Sequence, residues 1–190
     1  MAYIELNNDL PGIRGLLKYS PVSAYPLLLL AETLLQGDDS TLSKGERELI
    51  ATYVSGKNNC KFCQYSHGAA AAHHLHIGLN EIEDIKKDAG TSPLLSDKMK
   101  ALLNIAGKVQ QSGKSVLQED INAAKNEGAT DKEIHDTVLI AATFCMYNRY
   151  VDGLNTWADD QPSDYIDASK RMAEQGYLRK ETLKMIGREV

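Results

Sequence analysis

The chain has 190 residues, enough for one domain with a self-sufficient core, and it carries three cysteines and a formal net charge of −5. This acidic balance, with no dense cluster of lysine and arginine, argues against nucleic acid and anionic membranes as partners. The sequence shows no signal-like apolar N-terminus and no run of about 18 apolar residues, so we expect a soluble protein of the reducing cytoplasm.

Apolar residues at helical spacing and repeated helix-start signals predict an all-α protein built as a single domain. Residues 1–20 contain turn-forming residues and are predicted to form an irregular arm. Pro21 and Pro26 then lead into an apolar helix over residues 27–35, which Gly37 ends. The chain is therefore expected to open with an arm and one helix.

The next two helices are marked by their own signals. Ser43 and Glu46 have the spacing of a capping box, in which each side chain accepts from the other residue's backbone N–H. A Gly-Lys-Asn-Asn sequence interrupts this helix, and a second helix opens at Cys60 with Asn59 as its expected N-cap. Four consecutive alanines, residues 69–72, predict close packing of the second helix against a neighbour.

Further helices are predicted over residues 96–111 and 117–126. A capping box of Thr130 and Glu133 then opens a long, strongly apolar helix, which is the expected core element.

The expected organisation has three parts. Residues 1–20 form the arm, residues 21–160 form the helical domain with the Cys-x-x-Cys site, and residues 161–190 form a helical C-terminal extension. We expect the extension to pack on the outside of the domain or to contribute to subunit contacts.

Cys60 and Cys63 form a Cys-x-x-Cys motif at the start of the second helix. Residues three apart on a helix have Cα atoms about 5 Å apart, which is within the range of a disulfide. In the first turn, both sulfurs would lie near unpaired backbone N–H groups and the positive end of the helix dipole, which favours the reactive thiolate. The motif alone is found in zinc modules as well as in redox sites.

His67 and Glu48 add to this motif. His67 follows Cys63 by four residues, so the two lie on one helical face and the imidazole can act as a base for that sulfur. Glu48 comes from the preceding helix, and a carboxylate facing the imidazole would fix its tautomer and stabilise its cation. The four residues together predict a thiol redox site.

Other candidate ligands fit less well. A structural zinc site needs four ligands, and the sequence has no second Cys-x-x-Cys. His73, His74 and His76 could contribute a ligand, but histidines near a helix end more often cap carbonyls or face solvent, and we leave them unassigned. Cys145, between two apolar residues, is expected to be a buried small hydrophobic residue.

The spacing resembles that of a known family. Glu48, Cys60, Cys63 and His67 match, at every spacing, the Glu-x11-Cys-x-x-Cys-x3-His motif of the AhpD-like alkylhydroperoxidases in the carboxymuconolactone decarboxylase superfamily, especially the peroxidase-related members. Residues 144–154 at the end of the apolar helix are also similar to that family. The resemblance covers residues 20 to 160.

The resemblance implies an AhpD-like helical bundle that assembles into a homo-oligomer, a trimer or a hexamer. It also implies that Cys63 is the thiolate that reduces an organic hydroperoxide, that Cys60 resolves the sulfenic acid into a disulfide, and that His67 with Glu48 forms a proton relay. Turnover then needs an external dithiol reductant, and no metal or organic cofactor. The implied role is antioxidant defence by a thiol peroxidase or disulfide reductase.

The chain departs from the family at one point, because some members have a histidine between the two cysteines where this chain has Lys61 and Phe62. Dithiol–disulfide exchange is therefore considered beside peroxide reduction. Two other functions stay open: a decarboxylase-like lyase in which His67 acts as a base without the cysteines, and a non-enzymatic zinc-binding or interaction module.

Overall fold

The computed structural model of the protein describes residues 2–188, and within them the chain folds into ten α-helices and two short 3-10 turns with no strand. The all-α prediction is therefore confirmed for this part of the chain. The helices are α1 Ile13–Tyr19, α2 Pro21–Gln36, α3 Lys44–Lys57, α4 Lys61–Leu75, α5 Leu79–Lys87, α6 Asp97–Gln111, α7 Gln118–Asn126, α8 Asp131–Gly153, α9 Ile166–Gln175 and α10 Lys180–Met185. The 3-10 turns are Gly113–Ser115 and Pro162–Tyr165.

Both predicted capping boxes are present. At the start of α3, Ser43 Oγ accepts from the backbone N–H of Glu46 at 3.2 Å, and Glu46 accepts from the backbone N–H of Ser43 at 2.8 Å. Thr130 and Glu133 make the same reciprocal pair at the start of α8. These bonds satisfy backbone donors that a helix start otherwise leaves unpaired, so they fix where the two central helices begin.

Helices α3 and α4 form an antiparallel pair that carries the site. The alanines of residues 69–72 are all buried, and their small side chains let α4 lie close to its neighbours, as predicted. Helix α8 packs on α3 and α6 through a core of aliphatic and aromatic side chains. Helix α3, the first of the two helices that bear the motif, is therefore held by a helix that runs through the core.

A buried polar network links the ends of α3, α6 and α8. Asn148 donates to Ser55 Oγ at 3.0 Å, Asn58 donates to Asn148 Oδ1 at 2.8 Å, and Gln110 donates to Asn58 Oδ1 at 2.9 Å. Cys145 lies against this network, half-buried rather than fully buried, with its sulfur 3.6 Å from the Asn58 amide nitrogen. It packs on a different hydrophobic cluster from the one that contains the other two cysteines.

The two ends of the chain differ from expectation. The N-terminal arm is not wholly irregular, because residues 13–19 form α1, in which Leu16 and Leu17 are buried. The C-terminal segment does more than pack on the outside: α9 lies against α4, and Tyr177 beyond it is buried in the interior. Within the described part of the chain, none of the helices combines the length and apolar character needed to cross a bilayer.

Candidate redox site

The two cysteines lie at the start of α4, where Cys63 is in the predicted first turn and Cys60 precedes the helix instead of opening it. Asn59 has a positive φ of 57°, a left-handed conformation that asparagine tolerates, and it belongs to the turn after α3. Cys60 itself is the N-cap, in extended conformation, and Cys63 lies in the first helical turn. Both are free thiols and both are buried: Cys60 is fully buried and Cys63 is 2% exposed.

The environment of Cys60 favours the thiol. The side-chain hydrogen bond with Cys63 and burial raise the pKa of Cys60 well above its usual value. The carboxyl of Asp152 on α8 also hydrogen-bonds Cys60, and burial raises the pKa of that carboxyl. At the N-cap, the neighbouring sulfur and burial thus act against the thiolate of Cys60, in the direction opposite to the effect expected of the helix start.

Glu48 and His67 are in direct contact, as the sequence predicted. The distance from His67 Nδ1 to Glu48 Oε2 is 2.7 Å, Glu48 is fully buried and His67 is 9% exposed. An edge contact with Phe144, at 4.6 Å between ring centroids, holds the imidazole from the α8 side. With Nδ1 donating to the carboxylate, the neutral ring has Nε2 as its acceptor.

Tyr177 is a third member of this group, and the sequence reasoning missed it. Its hydroxyl donates to Glu48 Oε1 at 2.6 Å and lies 3.3 Å from His67 Nδ1. Burial and the Glu48 carboxylate raise its pKa well above the ordinary value, so the hydroxyl keeps its proton. The chain has nine tyrosines, and nothing in the local sequence of this one separates it from the others, because its partner lies 129 residues away.

A small apolar cavity of about 50 Å³ adjoins this group. Its lining residues come from four helices and the turn after α9, and they are Ile13, Leu17, Leu27, Leu28, Ala31, Phe62, Cys63, His67, Phe144, Tyr147 and Tyr177. Cys63 and His67 therefore face the same cavity, whereas Cys60 does not line it. A reactant in this cavity would meet the Cys63 sulfur in largely apolar surroundings.

Comparison with known proteins supports this architecture. No protein-family model and no curated protein matches the chain. A solved structure of a peroxidase-related protein from Ralstonia eutropha JMP134, described as an alkylhydroperoxidase AhpD core, superposes with a TM-score of 0.73 at 24% identity, over 83% of this chain and 80% of that one. The chain has the AhpD-like fold.

A second structure agrees with this assignment. The peroxidase-related protein from Silicibacter sp. TM1040 superposes with a TM-score of 0.68 at 23% identity, over 82% of this chain and 78% of that one. The fold that the motif implied is therefore confirmed, and in this AhpD-like fold the motif spans the α3–α4 pair.

Several candidate residues lie outside the site of this AhpD-like fold. Lys61 forms an exposed ion pair with Asp160 rather than reaching a sulfur. His73 lies 3.6 Å from Glu174, and His76 ends α4 in a left-handed conformation. His74 has a buried Nε2 atom without a partner, and burial lowers its pKa.

Among residues 2–188, no group of three or more histidine, cysteine, aspartate and glutamate side chains has an arrangement that could hold a metal ion. The three histidines near the end of α4 therefore gain no role from the structure.

Proposed function

We propose that the protein is a cysteine-based peroxidase and disulfide reductase that acts on organic hydroperoxides. The observation that carries this proposal is the buried Glu48–His67 pair beside Cys63 at the wall of an apolar cavity. A carboxylate that orients an imidazole, next to a nucleophile, is an arrangement that activates thiols for attack.

The first chemical step takes place at Cys63. His67 Nε2 takes the thiol proton, and the thiolate attacks the terminal oxygen of the hydroperoxide. The O–O bond breaks, the sulfur becomes a sulfenic acid, and the imidazolium returns the proton to the departing alkoxide, which leaves as an alcohol. Glu48 stabilises the transient imidazolium, and burial strengthens that interaction because water does not screen it.

The second step uses Cys60. Its thiol attacks the sulfur of the Cys63 sulfenic acid, an S–S bond forms, and the oxygen leaves as water. Because the thiol of Cys60 holds its proton tightly, this step needs a base, and the Asp152 carboxyl is the group bonded to it. An external dithiol then reduces the disulfide by two successive exchanges and is itself oxidised.

The partners of this reaction belong to the proposal. They are a hydroperoxide and an external dithiol, which is a protein or a small thiol. Assembly into a trimer or a hexamer stays a prediction, as does a cytoplasmic location. Exposed apolar side chains on α2, Val22 at 89% and Leu29 at 43% exposure, are consistent with a surface that a second subunit covers.

A turnover assay tests the proposal. The purified protein, with dithiothreitol as the dithiol and tert-butyl hydroperoxide as the oxidant, is expected to consume many equivalents of peroxide per chain. The rate above the background of dithiothreitol alone is the measurement. A correctly folded protein that adds nothing to that background would contradict the peroxidase proposal.

The size of the cavity leads to a prediction about specificity. Ile13 on α1 is half-buried and lines the cavity, so Ile13→Ala removes wall volume at moderate cost to the core. We expect the ratio of kcat/KM for cumene hydroperoxide to kcat/KM for tert-butyl hydroperoxide to rise by about three- to tenfold, since the bulkier group gains room.

The matched control is Ile121→Ala, which shortens a half-buried isoleucine on α7 that does not line the cavity. It should leave the ratio unchanged. An equal ratio in the two variants would mean that this cavity does not hold the alkyl group.

A further inference from the structure

The carboxylate of Glu48 is fully buried, and each of its oxygens has its own donor. His67 Nδ1 faces Oε2 at 2.7 Å, and the Tyr177 hydroxyl donates to Oε1 at 2.6 Å. The neighbouring guanidinium of Arg47 turns away and donates to the carbonyls of Leu34 and Gly37. A buried carboxylate without donors is costly, so these two contacts determine both its ionisation and its orientation.

Tyr177 is held in place by a hydrogen bond that its backbone N–H donates. The carboxylate of Glu32 on α2 accepts from the backbone N–H of Tyr177 at 2.5 Å and from that of Leu178 at 3.3 Å. Gly176 precedes them with a positive φ of 79°, and a Cβ there would come within 2.6 Å of a Glu32 oxygen. The chain thus makes a fixed turn after α9 that directs the tyrosine ring into the site.

We propose that Tyr177 is a positioning residue of the thiol relay, whose hydroxyl keeps Glu48 ionised and turned so that Oε2 faces His67. This inference rests on the proposed function, because it assigns Tyr177 to the relay that activates Cys63. The C-terminal segment, outside the region that carries the family resemblance, thereby completes the site. The ring also forms part of the cavity wall.

Loss of the Tyr177 hydroxyl should change the pH at which the Cys63 thiolate forms, and the contacts of Glu48 give the direction of that change. Removal of the hydroxyl leaves Glu48 Oε1 buried without a donor, which makes the ionised form of that carboxyl less favourable. A less ionised Glu48 stabilises the His67 imidazolium less, so the Cys63 thiolate forms at higher pH. The charged and titratable groups that face this cluster from the packed elements are Glu32, Arg47, Cys63, His74, Tyr147 and Arg179.

The test is the pH dependence of iodoacetamide alkylation at Cys63, read by peptide mass spectrometry, in full-length protein carrying Cys60→Ser. In Tyr177→Phe, the midpoint of the alkylation profile should move up by about one pH unit, which is about tenfold in the ionisation constant. A midpoint that stays within about 0.3 unit of the parent, too small a change for a lost hydrogen bond to a buried charge, would overturn the proposal.

Tyr165→Phe is the matched control. This tyrosine is also buried and also near the cysteines, where it packs on Phe62, but its hydroxyl donates to the backbone carbonyl of Asp159 at 3.3 Å. Its removal should leave the midpoint unchanged. A shift as large as that of Tyr177→Phe would mean that any change in local packing moves the profile, and it would overturn the assignment.

Glu32→Gln provides a second route if Tyr177→Phe does not fold. It weakens the backbone clamp and keeps the hydroxyl, so the midpoint should move in the same direction by a smaller amount. An unchanged midpoint would contradict the role of the clamp. Alkylation needs no hydroperoxide, so a shifted profile together with no peroxide turnover by the protein that keeps Cys60 would reject the proposed function and keep the role of Tyr177.

Discussion

Cys63→Ser is expected to lower hydroperoxide consumption by about a thousandfold or more, because the hydroxyl that replaces the thiol does not ionise near neutral pH and does not form a sulfenic acid. Cys63 is the sulfur that lines the cavity beside His67. The measurement is the initial rate of tert-butyl hydroperoxide loss with dithiothreitol as the reductant.

Cys60→Ser should behave differently from Cys63→Ser in a single turnover. The variant keeps the attacking sulfur, so it should consume one equivalent of peroxide and then stop, with a sulfenic acid on Cys63 that dimedone traps. Cys145→Ser is the control, since that cysteine lies by Asn58 and does not line the cavity, and it should turn over normally. Multiple turnovers of peroxide in Cys63→Ser would contradict the mechanism.

Glu48→Gln is expected to lower kcat/KM by about 10²- to 10⁴-fold through the tautomer of His67. The Tyr177 hydroxyl donates to Oε1, so the new amide should keep its oxygen there and present its NH₂ group to Nδ1. Nδ1 must then accept, and Nε2 carries the proton. The imidazole loses the nitrogen that takes the proton of Cys63.

Glu48→Gln should lose activity without losing stability. Its free energy of unfolding should not fall, because the substitution removes a buried charge and keeps the shape of the side chain. Urea denaturation beside the rate measurement separates the two effects. Glu133→Gln is the matched control, since Glu133 is also a buried glutamate but pairs with Lys98 and caps α8. It should lose some stability and keep its activity. Equal rates for Glu48→Gln and the parent would contradict the relay.

Local signals account for the parts of the fold that the sequence predicted. A capping box such as Ser43 and Glu46 involves residues three apart, so its geometry follows from the sequence alone. The contact between Glu48 and His67 could also be predicted from the sequence, because it joins the adjacent helices α3 and α4 across one short turn. Spacing within a helical hairpin restricts which residues can meet.

Long-range packing accounts for the parts that were missed. Tyr177 reaches Glu48 only because α9 lies on α4 and because Glu32 holds the turn after α9, and neither feature has a local pattern. The N-cap position of Cys60 was missed because Asn59 is a good N-cap by type, whereas the turn requires it in the left-handed conformation. At this position the preference of asparagine for N-caps favours one helix start, and the geometry of the turn requires another.

Peroxide is expected to oxidise Cys60 and Cys63 to a disulfide, and a count of the remaining thiols measures this. The pre-reduced, metal-free protein is treated with one equivalent of tert-butyl hydroperoxide, its remaining thiols are counted, and its peptides are mapped without reduction. We predict the loss of two of the three thiols, a Cys60–Cys63 linkage in the map, a free Cys145, and full recovery with dithiothreitol. Three unchanged thiols, or oxidation at Cys145 alone, would contradict the account.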